Sequence, residues 1–409
     1  MIKLKETVYM VGIKGAGMAG LAQILKARGF SVSGSDTREK FFTDVILKKA
    51  GIKCFENFSV KNLPKKIDWA VASGAYLGRV KNNPEITELL KRKIPVLPYA
   101  RAVGKIFNQS FGIAVTGTHG KTTTSALLAF ILKQAGLNPT ALVGGELLNW
   151  KSNSRAGNGP FVLEADEYRE QFLNYRPSII VLTGIDYDHP DYFPTPASYR
   201  RAFIKFKKRL KPGGKIFTTR ENPARLKSNL HGKHNRQNLD LAVQVAEYLG
   251  ISRATISKAL KKFAGIRRRM EKKGHCRGYI LIDDYAHNPP KVACALQALR
   301  EAYPNRKIAV IFQPHTFSRT ARFLKDFAKV LTDADKIYLL DVYGSAREKI
   351  GQIGTDELVK ALAKLGRHAT NLKTINSAIK FFSRQKFGKG VLVTMGAGDV
   401  YKIAEQLAV

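Results

Sequence analysis

The segment Phe111–Thr123, FGIAVTGTHGKTT, leaves this chain few ways to fold. An apolar run feeds a loop with glycines at 117 and 120, and Lys121, Thr122 and Thr123 open a helical pattern. A strand, a glycine-rich loop and a helix in that order form a phosphate cradle. Backbone N–H groups face the anion, the lysine reaches the β- and γ-phosphates, and a threonine hydroxyl suits Mg²⁺. The loop is shorter than GxxxxGK[ST], whose first glycine would fall at Val115. A second unit of the same kind opens at the N-terminus, where Gly15-Ala16-Gly17-Met18-Ala19-Gly20 follows an apolar strand and Asp36 lies downstream. On its own that GxGxxG pattern indicates a dinucleotide site, with Asp36 at the distance of the ribose-binding acid.

Such units build parallel sheets, and the remaining sequence agrees. Strands are predicted at 7–13, 111–116, 161–164, 179–185, 215–219, 279–284, 307–313, 336–342 and 390–395, mostly without period-two alternation, as strands buried on both faces should read. Helical patterns over 122–134, 236–249, 290–301 and 355–365 lie between them. The fold class is α/β with mainly parallel sheets. At 409 residues the chain exceeds what one core sustains, and the restarts near 107 and 273 give three domains: 1–106, 107–272 and 273–409.

Three scattered cysteines without a CxxC pair exclude a disulfide framework and fit a reducing, cytoplasmic setting. No apolar run reaches the roughly 20 residues of a membrane span. The charge is unusual: 69 Lys+Arg against 32 Asp+Glu, or +37. A basic surface attracts polyanions, but the basic residues are dispersed in pairs and triplets without a zinc-finger or RNP-type pattern, so no nucleic-acid partner is expected.

Further polar clusters sit where predicted strands end. Glu164-Ala165-Asp166-Glu167 closes one strand, and Asp186, Asp188, His189 and Asp191 follow the next. Carboxylates at that edge, beside a phosphate loop, are placed for Mg²⁺. His234, Asn235 and Asn238 lie at a helix start, and Arg267-Arg268-Arg269 forms a basic run. Asp283-Asp284-Tyr285-Ala286-His287 and Gln313-Pro314-His315-Thr316-Phe317-Ser318-Arg319 again end strands.

Together with Gly396-Ala397-Gly398-Asp399, these motifs resemble the Mur ligase family over nearly the whole chain, and the shortened loop GTHGKTTT is itself a family mark. The resemblance implies a Rossmann-like UDP-binding domain, a central P-loop ATPase-type domain and a C-terminal Rossmann-like domain. It implies an ATP- and Mg²⁺-dependent carboxylate–amine ligase of peptidoglycan synthesis, active as a monomer or weak dimer. VGIKGAGMAGLA, EADE, DYAHNP and QPHTFSRT look most like the members that attach L-alanine to UDP-N-acetylmuramate. The glycine turn would then hold a UDP-sugar through Gly15, Ala16, Gly17, Met18, Asp36 and Ser73, and not NAD. ATP would meet Gly117, Thr118, His119, Gly120, Lys121, Thr122 and Thr123, with His234, Asn235, Asn238, Arg269, Asp284 and His287. Lys121, His189 and Arg269 carry the catalytic roles. Thr122, Glu164 and His189 are the metal ligands, and Tyr285, His315 and Arg319 receive the amino acid.

The chain departs from the family pattern at Thr316, where Arg is usual, and at Gly184, where Asn is usual. Tyr168 replaces the Ser that follows EADE in L-alanine ligases and is similar to the residue of ligases that recycle a whole tripeptide. The stretch between Phe193 and His231 is short, which implies that a small antiparallel sheet is trimmed there. The alternatives are a tripeptide-recycling ligase and, in a different class, a nicotinamide-dependent oxidoreductase, which leaves Lys121 unexplained.

Overall fold

The computed structural model describes residues 6–77, 83–221, 226, 228, 230–344, 353–384 and 388–408. The chain forms two compact units, one of Met1–Asn229 with Arg236–Ala264, the other of Leu230–Asn235 with Gly265–Val409.

The first unit carries two sheets. Strands β1 (Thr7–Val11), β2 (Ser31–Ser35), β3 (Lys53–Phe55), β4 (Trp69–Ala72) and β5 (Val96–Pro98) run parallel in the order β3-β2-β1-β4-β5. That order reverses direction between β1 and β4, the topological switch point where doubly wound sheets take ligands. Gly12, at φ +82°, turns the chain out of β1 beside Ser73, which follows β4. The second sheet holds β6 (Gly112–Thr116), β7 (Thr140–Leu147), β8 (Ser152–Arg155), β9 (Phe161–Glu164), β10 (Ile179–Leu182) and β11 (Lys215–Thr218), in the order β11-β10-β6-β9-β7-β8. Only β8 is antiparallel to its neighbour. The central β6 is buried at every position, as is nearly all of the helix Lys121–Gln134 that follows it. A helix buried on nearly all sides belongs inside a core, and this one begins at the phosphate loop.

The second unit is one sheet of β12 (Glu271–Cys276), β13 (Tyr279–Asp284), β14 (Lys307–Phe312), β15 (Lys336–Leu340), β16 (Ala369–Lys373) and β17 (Gly390–Met395). Its order is β12-β13-β17-β14-β15-β16, parallel except for β12. Returning β17 between β13 and β14 brings the loops after all three to one edge.

The expected strands are all present, most ending one to three residues early. Unanticipated are β2 to β5, β7, β8, β12 and β16. Several are three to five residues long and polar, and only their neighbours in the sheet make them strands. Between Phe193 and His231 the described residues contain a helix (Pro196–Lys207) and β11.

Candidate active site

The phosphate loop is built by two left-handed glycines. Gly117 has φ +130° and Gly120 φ +78°. A Cβ on Gly117 would stand 2.7 Å from the Gly184 carbonyl oxygen, and one on Gly120 would overlap the Asn238 amide. Any side chain at either position would open the loop. Asn238 is therefore seated against the loop. Asn235 belongs to the second unit, where its amide donates to the His231 carbonyl at 2.8 Å.

Lys121 is the first residue of the helix and is almost enclosed. Its ammonium donates to the Gly117 carbonyl and to both oxygens of Glu167, at 2.9 and 2.7 Å. Glu167 is 1% exposed. Burial by itself disfavours the charged lysine, yet Glu167 and then Asp166 outweigh it and hold the Lys121 pKa above the ordinary value. Burial also lifts the Glu167 carboxyl above the usual range, against the pull of Lys121. Glu167 also accepts from Tyr199 at 3.1 Å, and Tyr199 shares a hydrogen bond with Thr118 of the loop at 2.9 Å. Thr118 donates to the Asp186 carbonyl at 2.6 Å, which ties the loop to the turn after β10. Tyr199 is not among the expected site residues, and Glu167 is expected as a carboxylate of the strand end for Mg²⁺, not as the partner of Lys121. A buried acid that meets a lysine 46 positions away has no local signature.

The carboxylates meet the loop from neighbouring strands. Thr122 donates to Glu164 at 2.9 Å, and the other Glu164 oxygen accepts the Gly144 N–H at 2.6 Å. Asp166, Glu167 and His189 each bring a donor atom within 4.8 Å of the others. His189 has φ +57° and lies against Tyr168, with ring centroids 4.7 Å apart. Tyr168 donates to Asp191 at 2.7 Å. A hydroxyl, carboxylates and one imidazole form a hard, oxygen-rich donor set that fits Mg²⁺. The structure thus sets Thr122 against Glu164, and groups His189 with Asp166 and Glu167.

At the other sheet of this unit, Asp36 is turned inward. It accepts from the backbone of Lys14 at 2.7 Å and Thr37 at 2.8 Å, and from Tyr76 at 3.3 Å. It holds the shape of the turn at Gly12–Gly15. Gly17 packs so closely on Tyr99 that a Cβ would lie 2.7 Å from the phenol oxygen. Burial and then the charges of Glu164 and Asp166 push the Tyr99 phenol up, so the glycine turn and the metal-type carboxylates share a neighbour. Asn153 of β8 donates to the Ala16 carbonyl at 2.9 Å, pinning the helix behind the turn to the second sheet.

In the second unit the arginine run divides by role. Arg267 pairs with Glu405 at 2.7 Å. Arg268 pairs with Asp283 at 3.2 Å, donates to the carbonyls of Gly396 and Gly398, and lies over the rings of Tyr285 and Tyr401. Arg269 only leans on Tyr285, 5.4 Å from its centroid. Arg268 is a structural clamp that the sequence did not distinguish, and Arg269 has no carboxylate partner among the described residues. Asp284 accepts from the backbone of Met270 and Ala286, both at 2.8 Å. The run is therefore bound to the end of β13. Tyr285, His287, His315 and Arg319 are brought together: ring centroids of Tyr285–His287 and His287–His315 are 5.0 and 6.2 Å apart, and Arg319 reaches the His315 Nδ1 at 3.2 Å. Thr316 holds φ +66°, and its N–H donates to the Tyr343 carbonyl.

Burial, with Lys291 and then Arg319 and His315 nearby, pushes the His287 pKa down to about 3. Its folded pKa is below the unfolded one, so the stability it contributes is full above pH 6.5 and is lost as pH falls toward 3. Asp283 acts in the opposite sense, because burial lifts it to about 6. His287→Gln should accordingly flatten the acid side of the stability profile, measured by thermal melts from pH 7 to 4. An unchanged profile would mean that His287 is protonated without penalty.

The chain is matched by three family models: "Mur ligase family, catalytic domain" over residues 7–111, "Mur ligase middle domain" over 115–242 and "Mur ligase, glutamate ligase domain" over 268–398. It is 34% identical to a UDP-N-acetylmuramate–L-alanine ligase of Desulfitobacterium hafniense, over 98% of this chain and 99% of that one. It is 32% identical to the enzyme of the same name from Endomicrobium trichonymphae, over 100% and 99%. Among solved structures, the UDP-N-acetylmuramate–alanine ligase of Thermotoga maritima superimposes with a TM-score of 0.83 at 27% identity, covering 98% of both chains. A murein peptide ligase from Psychrobacter arcticus gives 0.68 at 22% identity, again over 98% of both, and shows the shared fold.

Proposed function

The chain belongs to the Mur ligase family, and on that premise we propose that it joins L-alanine to the lactyl carboxylate of UDP-N-acetylmuramate with cleavage of ATP to ADP and phosphate. The observation that carries the phosphoryl chemistry is Lys121, seated in a glycine cradle beside Thr122 and Glu164. A carboxylate is a poor electrophile, so it must first be activated. It attacks the γ-phosphorus in line, and the bond to ADP breaks to leave an acyl phosphate. The alanine amine then adds to the acyl carbon, and phosphate departs from the tetrahedral adduct as the amine loses its proton. Charge neutralisation and positioning drive such transfers. Lys121 and Arg269 would neutralise the transferring phosphoryl group. Thr122, Glu164 and His189 would hold Mg²⁺, which when bound offsets phosphate charge. Glu167 keeps Lys121 charged and pointed at the loop.

The UDP-sugar is assigned to the glycine turn with Ser73, at the switch point of the first sheet. The amino acid is assigned to Tyr285, His315 and Arg319. Phosphate release from ATP, measured with UDP-N-acetylmuramate and each amine in turn, tests the reading. L-Alanine should be preferred over glycine by about 10–200-fold, the worth of one methyl in a fitted pocket. A tripeptide beginning with L-alanine acting as a far better acceptor would overturn the choice of amine and leave the ligase class standing.

Arg319 should read the carboxylate of L-alanine, because a planar fork pairs with both oxygens and a lysine offers one point charge. Arg319→Lys is expected to raise the KM for L-alanine by about tenfold or more with little change in that for ATP. Equal changes for all substrates would make Arg319 a structural residue.

A further inference from the structure

Part of the +37 charge is organised on one helix. In Pro196–Lys207, Tyr199, Ala202, Phe203 and Phe206 are buried, the spacing of one helical face. Tyr199 on that face serves Glu167 and Thr118. The opposite face carries Arg200, Arg201, Ile204 and Lys207, and continues into Lys208; all five are exposed. At 100° per residue Ile204 lies in the middle of the four cations.

Three observations set this face apart from an ordinary solvated one. Lys205, at its border, pairs with Glu170 at 2.9 Å, whereas Arg200, Arg201, Lys207 and Lys208 have no carboxylate partner among the described residues. Ile204 is 55% exposed at the centre of the patch, where solvation alone would favour a polar residue. A second aliphatic lies on the same side of the sheet. Ile216 of β11 is 40% exposed and in register with Ile180, which belongs to the core cluster containing Phe203 and Phe206.

We propose that this face docks on an anionic lipid bilayer, with the four cations at the headgroups and Ile204 entering the headgroup–acyl boundary. Basic residues around an aliphatic centre on an amphipathic helix are the pattern of interfacial membrane binding. A polynucleotide is the weaker partner because single strands are held by stacking aromatics, and the helix turns all its aromatic side chains inward. No described helix is long and apolar enough to cross a membrane, so the contact is peripheral. The inference does not rest on the ligase reading.

The test is flotation of the full chain with vesicles of phosphatidylcholine containing about one-third phosphatidylglycerol, against pure phosphatidylcholine, over a salt series. Binding should require the anionic lipid and weaken steeply with salt. Reversing Arg200, Arg201, Lys207 and Lys208 to Glu should lower the partition coefficient by about a hundredfold or more, on the usual contribution of each basic residue near an anionic surface. Ile204→Ser should lower it several-fold at every salt concentration. ATP-dependent phosphate release should be unchanged in both variants, since Tyr199 keeps its inward face. If four reversals prevent folding, Lys207→Glu with Lys208→Glu should still lose about tenfold. Absence of parent binding to anionic vesicles, or retention of binding by the charge-reversed chain, would overturn the proposal. So would tighter binding to a polynucleotide that is indifferent to Ile204→Ser.

Discussion

Lys121→Ala is expected to lower ligation turnover by roughly 10²–10³-fold or more, the usual loss when one charged donor to a developing oxyanion is removed. The structure adds a second consequence. Glu167 is buried with Lys121 as its cation, so the alanine variant leaves a carboxylate with no counter-charge. Burial already lifts that carboxyl, and the variant should take up a proton there on folding. The folded pKa then exceeds the unfolded one, so the destabilisation is greatest at alkaline pH and is relieved as pH falls. Adding Glu167→Gln should restore stability at pH 8 without restoring turnover. Melts at pH 5 and 8 and steady-state phosphate release on the two single variants and the double variant read both effects. A Lys121→Ala chain that turned over near the parental rate would remove the phosphate-loop assignment.

The second large effect separates two adjacent arginines. Arg268→Ala should destabilise the second unit by about 3–5 kcal/mol, the range for breaking a buried ion pair from one side. Asp283 is 1% exposed and would lose its guanidinium, and the Gly396 and Gly398 carbonyls would lose their donors. Arg269→Ala removes only a ring contact and should change stability by about 0.5 kcal/mol or less, while turnover falls sharply if Arg269 meets the γ-phosphate. Thermal melts and phosphate release on the two variants should give opposite patterns. Stability loss with Arg269→Ala and turnover loss with Arg268→Ala would exchange the roles.

The contrast between these arginines illustrates what was legible. Three consecutive Arg residues look alike in a sequence, and their division depends on partners 15 to about 130 positions away at the ends of β13 and β17. Glu167 is similar: EADE marked an acidic strand end, but which carboxylate meets Lys121 and which meets Thr122 depends on the register of β9 beside β6. Asp36 matched a ribose-binding spacing, and the structure turns its carboxylate onto the backbone of Lys14 and Thr37.

Local patterns by themselves determined the α/β class, the two glycine turns, the parallel strands with long apolar runs and the family. Each rests on short-range physics: glycine where φ is positive, a helix N-terminus where an anion binds, unbroken apolar runs where both faces of a strand are covered. Tertiary structure alone decided the short polar strands such as Ser31–Ser35 and Lys53–Phe55, which exist because neighbours complete their ladders. It alone paired Lys121 with Glu167, clamped Arg268 and left Arg200, Arg201, Lys207 and Lys208 around an exposed Ile204. Those outcomes depend on which distant side chains share a buried or exposed face, and sequence distance carries no information about that.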